Sequence, residues 1–323
     1  MTASIKETTY LGIPSIKLET SQMELTVVPD WGSNAISMKW KKENGSVELL
    51  RGPSSIQDYE QAPVQFGVPI LFPPNRISDG EFTFNGQTYS FDLSEPDKNN
   101  HIHGFVYQKP WKVTHTEVEG DRAKLVTSIE SKDHPDILAQ FPHSFRIEMV
   151  FLLEGASLKK HAVITNLSDQ TFPWGIGYHT TFLFPEETSR FSLAAEKQWE
   201  LDERLLPTEK LIQTRHTAIK EGMSLQQVEL DDAFLAEEKE LETNQAVMTL
   251  EDERLQIRYK ADESFKHWVV YNADGASGYI CPEPYTWITN APKLSLDKEL
   301  TGVQTLDSSQ TIVVKTEIDV TSL

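Results

Sequence analysis

Glu283 stands between two prolines in the run Tyr279-Ile-Cys281-Pro282-Glu283-Pro284-Tyr-Thr286-Trp287-Ile-Thr-Asn290. Proline has no N–H, so this carboxylate has few local backbone donors to hold its pKa down. A glutamate partly withdrawn from water gains basicity, which is what a general base working near neutral pH requires. His179 lies in Phe172-Pro-Trp-Gly175-Ile-Gly177-Tyr-His179-Thr-Thr-Phe182-Leu-Phe, where two glycines let the backbone bend or approach closely among aromatic residues. Aromatic faces beside a histidine suit a sugar, whose C–H face packs on a ring while its hydroxyl rim needs placed polar groups. The same aromatics would serve a hydrophobic core equally well.

Two further segments carry polar groups. In Asn99-Asn100-His101-Ile-His103-Gly104-Phe-Val the two histidines, if on a strand, share one face, a geometry open to metal binding as well as catalysis. No carboxylate follows the pair closely, which argues against a metal, and His101 is expected to do no more than hydrogen-bond a loop. In Phe66-Gly-Val-Pro-Ile-Leu-Phe-Pro-Pro-Asn75-Arg76-Ile-Ser-Asp79-Gly80, Arg76 sits where an apolar run empties into a loop. Its guanidinium is a rigid donor fork for a hydroxyl or carboxylate; the plainer alternative is an ion pair with Asp79. Cys281, the sole cysteine, is in an apolar strand setting that favours an inert buried thiol over a nucleophile.

The elements that must position these residues read as β. Met23-Glu-Leu-Thr-Val-Val, Asn34-Ala-Ile-Ser-Met-Lys-Trp, Ala123-Lys-Leu-Val-Thr-Ser-Ile and Thr311-Ile-Val-Val-Lys-Thr-Glu-Ile alternate apolar and polar residues. A hairpin is expected at Asn85-Gly86, and another with Phe145 to Leu153 turning at Glu154-Gly155 into Leu158 to Ile164. Helix signals are confined to Asp136 to Phe141 and, more weakly, Ser224 to Glu229. The fold class is an all-β antiparallel sandwich. No linker or fixed-period repeat divides residues 1–323, which are taken as one domain. The acidic run Glu237-Glu-Lys-Glu-Leu-Glu is expected to be a solvated loop or edge.

Composition narrows the partners. A net charge of -19 argues against nucleic acid, whose binders cluster Lys and Arg. No stretch approaches the roughly 20 apolar residues of a membrane-spanning helix. With one cysteine and no apolar leader after Met1, the expectation is a cytoplasmic protein, monomer or homodimer, taking a neutral small molecule.

In this order and spacing, the segments around Asn75-Arg76, Asn100 to Gly104, Gly175 to Phe182 and Glu283-Pro284 resemble the signatures of the aldose 1-epimerase (galactose mutarotase) family: Pro-Asn-Arg, Asn-x-x-His-Gly, Gly-x-x-His-x-x-Phe and Glu-Pro. Phe141-Pro-His-Ser-Phe through Asn166 and Asp231-Asp-Ala-Phe234 resemble further family segments, so the likeness covers nearly the whole chain. The resemblance implies the large sandwich of that family, with Glu283 as the base at the C1 hydroxyl, His179 as the acid at the ring oxygen and His103 steadying the developing charge. It implies that Arg76 and Asp231 contact sugar hydroxyls and that Asn75 shapes the same rim, with Asp232 as the alternative to Asp231. No metal or other cofactor is implied: opening a hemiacetal needs a base at one oxygen and an acid at the other.

His179-Thr-Thr-Phe182 and Cys281-Pro-Glu-Pro depart from the family's usual wording, which bears on which sugar is preferred. Near these motifs Arg76 is the one prominent cation, which favours an unphosphorylated aldohexose over a phosphorylated or otherwise modified hexose. Two readings from other classes stand beside this one. A non-catalytic sugar-binding or sugar-sensing protein would need stacking and hydroxyl contacts but no acid facing a base. A metal-dependent sugar isomerase or lyase would use His101, His103, His179 and Glu283 as ligands.

Overall fold

The strand Phe145–Glu154 buries Phe145, Ile147, Met149, Phe151 and Leu153 on one face, the period of two that a strand with a core side must show. Its neighbour Ser157–Asn166 answers with Leu158, Ala162 and Ile164. These are the centre of an eight-stranded antiparallel sheet in the order Lys112–Glu119, Arg122–Glu130, Phe145–Glu154, Ser157–Asn166, Thr311–Ser322, Leu255–Ala261, Gln245–Leu250, Ser189–Leu193. The last strand of the chain thus closes the middle of the sheet.

This computed structural model describes residues 2–237 and 240–323. Met1, Glu238 and Lys239 lie outside the described residues, and with them the first residue of the N-terminal segment and part of the acidic run 237–242.

A second large sheet carries the strands of interest: Pro207–Gln213, Lys197–Leu201, Asp231–Leu235, His267–Tyr271, Tyr279–Tyr285, Gly177–Tyr178 and Ile70–Leu71, with Phe182–Leu183 also on Tyr279–Tyr285. The two layers face each other across the core. Lys160 of the first places its Nζ 3.5 Å from the ring centre of Tyr178 in the second. A five-stranded meander, from Ser4–Tyr10 to Gly45–Glu48, completes the main sheets. The all-β antiparallel sandwich expected from alternation is the observed class.

Tyr279–Tyr285 is buried at all seven positions, as a strand covered on both faces must be. Its pairing is incomplete where the prolines fall. Gly177 pairs Tyr285 and Phe182 pairs Ile280 in one common register, but residues 178–181 pass 281–284 without a ladder. Pro282 and Pro284 have no N–H to offer there. That register sets His179 opposite Glu283 and Thr181 opposite Cys281.

Among the described residues there are three short α-helices, Ile56–Gln61, Pro135–Gln140 and Lys298–Thr301. Pro135–Gln140 matches the expected helix, with Phe141 as its cap. Residues 224–229 are not helical, which corrects the weaker expectation: Gln227 has φ +58°, its N–H goes to Gly275 O and Val228 N–H closes a tight turn on Leu225 O. Ile56–Gln61 was not expected, since it lacks the leading proline that marks Pro135–Gln140; Ser55 caps it by accepting the Asp58 N–H at 3.0 Å.

The Asn85-Gly86 hairpin forms as expected, with both residues at positive φ. The second hairpin turns one residue later than expected. Glu154 still pairs Ser157, so the loop is Gly155-Ala156.

Candidate active site

Seven chain segments, around residues 64–65, 75–76, 102–103, 179, 231, 269–271 and 283, converge on one face of the second sheet. Opposed residues of an antiparallel pair point to the same side, so the pairs Asp231–Tyr271, Val269–Glu283 and Tyr271–Cys281 place Asp231, Val269, Tyr271 and Glu283 on one face. Asp232, opposite Val270, faces the other way. There its carboxylate accepts from Gln198 at 2.9 Å and Arg215 at 2.9 Å and meets His216 at 3.1 Å. The choice left open between the two aspartates is settled by strand parity: Asp231 lines the cavity and Asp232 anchors a loop.

Asn75, Arg76, His103, His179, Asp231 and Glu283 all line one cavity of 310 Å³. All six residues named from the sequence are therefore brought together. Val64, Gln65, Ile102, Val269 and Tyr271 line it too and were not anticipated. These apolar and neutral residues carry no chemical signature in sequence; strand register points Val269 and Tyr271 inward, and Val64 and Gln65 come from the short 3-10 turn Pro63–Gln65.

Asn75 and His103 reach the cavity through unusual backbone. Both have positive φ, +56° and +68°, and the His103 N–H donates to Asn75 O at 3.1 Å. A left-handed non-glycine residue costs on the order of 1 kcal/mol, which the surrounding contacts must offset. Gly104 follows at φ +71°, and a Cβ on it would stand 2.2 Å from Phe72 O, so no other residue fits the crossing. The reversal at His103 also corrects the idea that the two histidines share a face. His101 remains in the strand Asn100–Ile102, turned away between Phe91 and Phe105, its Nδ1 bonded to Asp92 O at 2.8 Å. The loop-bonding role expected for His101 is the one it has.

Arg76 pairs with Glu95 and not with Asp79. Nε and Nη2 donate to the two carboxylate oxygens at 2.9 and 3.0 Å, a bidentate fork that fixes the guanidinium plane. Glu95 adjoins the strand Asn100–Ile102, which pairs directly with Arg76–Ser78, and Asn100 Nδ2 donates to it at 2.9 Å. Asp79 lies past the end of its strand and takes Arg204 and Lys293 instead.

At the floor of the cavity His179 Nε2 lies 3.3 Å from Glu283 Oε1. The side chains are nearly sealed, with Glu283 2%, His179 7% and His103 9% exposed. The rings of His103 and His179 meet almost perpendicularly with centres 5.5 Å apart. Glu283 Oε2 accepts a hydrogen bond from the Tyr285 hydroxyl, to which Asn75 Nδ2 donates at 3.5 Å. The sequence reading overlooked Tyr285, although a tyrosine two residues along a strand shares the face of Glu283.

Burial raises the Glu283 carboxyl well above its ordinary range; Asp231 adds to this, while the Tyr285 hydrogen bond and Arg76 oppose it. Burial lowers His179 to about 4. His103 is driven well below the usual imidazole range by burial and then by His179. Asp231 is raised by burial, with Arg76 opposing. An acid and a base whose proton affinities are displaced in opposite senses, in contact, form a proton-exchanging pair.

Two other possibilities fail on the same geometry. Phe172, Trp174, Tyr178 and Phe182 are core residues, each at most 1% exposed and none on the cavity, so the aromatic surface beside His179 is Tyr271, ring centres 6.3 Å apart. The four-ligand metal set is not assembled, because His101 points elsewhere. His179, Cys281 and Glu283 do bring ligand atoms within 4.8 Å of one another. However, the Cys281 thiol contacts Thr181 Oγ1 at 3.3 Å and burial pushes its pKa well up, keeping it protonated and a poor donor.

The two facing antiparallel layers, with a polar cavity on one face of a sheet, define the class of galactose mutarotase-like proteins. A protein described by that phrase from Clostridium acetobutylicum has the same fold, with TM-score 0.93, 26% identity and coverage of 100% of this chain and 99% of its own. Galactose 1-epimerase of Lactobacillus acidophilus shares the fold at TM-score 0.76, with 14% identity over 100% of this chain and 99% of its own. The sequence model of the aldose 1-epimerase family matches residues 14–319, and the chain belongs to that family. The uncharacterized protein YihR of Escherichia coli K12 is 27% identical over 155 residues, 46% of this chain; the match spans about half of that relative, 47% of its length. No helix among the described residues is long and apolar enough to cross a membrane.

Proposed function

We propose that the protein is an aldose 1-epimerase that interconverts the α and β anomers of a free, uncharged aldohexose, acting as one domain in a reducing cytoplasm as monomer or homodimer. The observation that carries this reading is the 3.3 Å contact between His179 Nε2 and Glu283 Oε1 on the cavity floor. Two oxygens bonded to one carbon are close enough together to meet both groups at once. Glu283 takes the proton of the C1 hydroxyl while His179 gives one to the ring oxygen; the C1–O5 bond breaks to leave the open-chain aldehyde. Rotation about C1–C2 and return of both protons closes the other anomer. His103, neutral and at right angles to His179, steadies the charge that develops between them. Arg76, Asn75 and Asp231 hold the hydroxyl rim, and the Tyr271 ring offers the sugar an apolar face.

The lining favours neutral substrates. Arg76 is the one cation on the cavity among the described residues and is already committed to Glu95, while Asp231 and Glu283 disfavour an anionic group. Polarimetry tests the reading: catalytic amounts of protein speed the rotation change of fresh α-D-glucose or α-D-galactose, and Glu283→Gln slows it by about 10²–10⁴-fold. Unchanged kinetics across a panel of free aldoses would reject the epimerase and favour a sugar-binding protein.

A further inference from the structure

Glu283 presents its two oxygens to different neighbours. Oε1 is turned to His179, and Oε2 accepts the hydroxyl of Tyr285, the one hydrogen-bond donor to that oxygen among the described residues. The polarity of this bond is fixed from behind. Arg76 N–H donates to Asn75 Oδ1 at 2.8 Å, which orients the amide so that its NH2 faces Tyr285. The phenol oxygen therefore accepts a hydrogen bond from Asn75 and has its own O–H to donate only to Glu283. Tyr285 is wholly buried, and its ring is pressed against the backbone of Gly177, so the hydroxyl has no second position.

We propose that Tyr285 is a positioning residue which, at the end of this one-way donor chain, aims Oε1 of Glu283 at the reacting sugar and favours its carboxylate form against the burial of the site. The inference rests on the epimerase reading of the site and deepens it.

Even with this donor in place burial keeps Glu283 well above its ordinary range and His179 below its own, and the Tyr285 bond is the strongest influence working the other way on Glu283. Burial disfavours charge on both partners and leaves the proton on the carboxyl, with a neutral imidazole that is a weak acid. Asp231 pushes in the same direction from two strands away, and Arg76 pushes against it. Cys281 on the same strand, Tyr259 behind it and His103 across the cavity are all kept uncharged by burial and add no compensating charge. A hydrogen bond to an ionised group is among the stronger ones available, and it favours the carboxylate over the acid.

Tyr285→Phe keeps the ring and removes the donor; 3-fluorotyrosine at position 285 keeps ring and donor and makes the hydroxyl more acidic. The readout is the infrared C=O band of protonated Glu283, assigned by its loss in Glu283→Gln, followed against pH in the full chain. We expect the band to titrate about one to two pH units higher in Tyr285→Phe and lower in the fluorinated protein. The acid limb of kcat/KM should move with it, kcat in Tyr285→Phe falling about tenfold while KM changes less than about threefold. The fluorinated protein is nearly isosteric and supplies the test should Tyr285→Phe fold poorly. A band that titrates at the same pH in every form overturns the proposal. A shifted band in a protein that leaves all aldoses untouched would reject the epimerase reading while leaving the tuning of Glu283 by Tyr285 in place.

Discussion

Gly177 lies so close to Tyr285 that a Cβ on the glycine would stand 2.1 Å from Cδ1 of the ring and 3.0 Å from Pro74 Cβ. Neither a ring wedged in the core nor a proline can yield cheaply, and Tyr285 is bonded to Glu283. Gly177→Ala is therefore expected to cost about 1–3 kcal/mol of stability from overpacking and to reduce kcat by disturbing Glu283. Denaturant unfolding and polarimetric kinetics on the same preparation check both; an alanine variant with unchanged kcat would mean that the ring position is immaterial to the carboxylate.

The buried pair makes opposite demands on pH. His179 is lowered to about 4, so between that value and 6.5 the unfolded chain binds the extra proton and stability falls as pH falls. The full effect is on the order of 3 kcal/mol. Glu283 is raised, so its contribution is present at low pH and lost as pH rises above about 4.5. His179→Gln should accordingly gain on the parent as pH drops below 6.5, and Glu283→Gln should gain as pH rises. Thermal melts from pH 4 to pH 8 measure the two slopes, and parallel curves for parent and variants would contradict the assignment.

Glu95 holds the Arg76 fork by both oxygens. Glu95→Gln breaks the charge match and frees the guanidinium to swing, which should weaken sugar binding more than proton transfer. KM is expected to rise about tenfold with kcat within about threefold. Initial rates over a range of sugar concentration separate the two, and a fall confined to kcat would place Arg76 nearer the reaction than the rim.

The adjacent aspartates should separate cleanly. Asp232→Asn removes the charge that Arg215, His216 and Gln198 share and is expected to cost about 2–3 kcal/mol of stability with little effect on KM. Asp231→Asn, facing the cavity, should leave unfolding nearly unchanged and raise KM. The reverse pattern in melts and kinetics would overturn the facing assigned to the two side chains.

Strands with a clean period of two, such as Met23–Val28 and Thr311–Ser322, and the Asn85-Gly86 turn were legible because their signals are local: alternation for one-sided burial, positive φ for a two-residue turn. Residues 224–229 misled for the converse reason, since their turn exists to dock on the 272–275 loop, a contact far away in sequence. Tyr285 and Tyr271 escaped notice because a tyrosine in an apolar strand reads as core until its neighbours across the sheet are known.

By itself the sequence determined that the molecule is an antiparallel β structure and which residues could exchange protons. Proline-flanked Glu283 and His179 among its glycines are chemical facts independent of distance. Where the family resemblance could only prefer one of two near-identical neighbours, the tertiary structure shows which lines the cavity, Asp231 and not Asp232, His103 and not His101, and it alone makes Glu95 and not Asp79 the partner of Arg76. Each choice depends on strand parity or on a left-handed residue at a chain crossing. Those are set by long-range pairing, where a shift of a single residue turns a side chain to the opposite face.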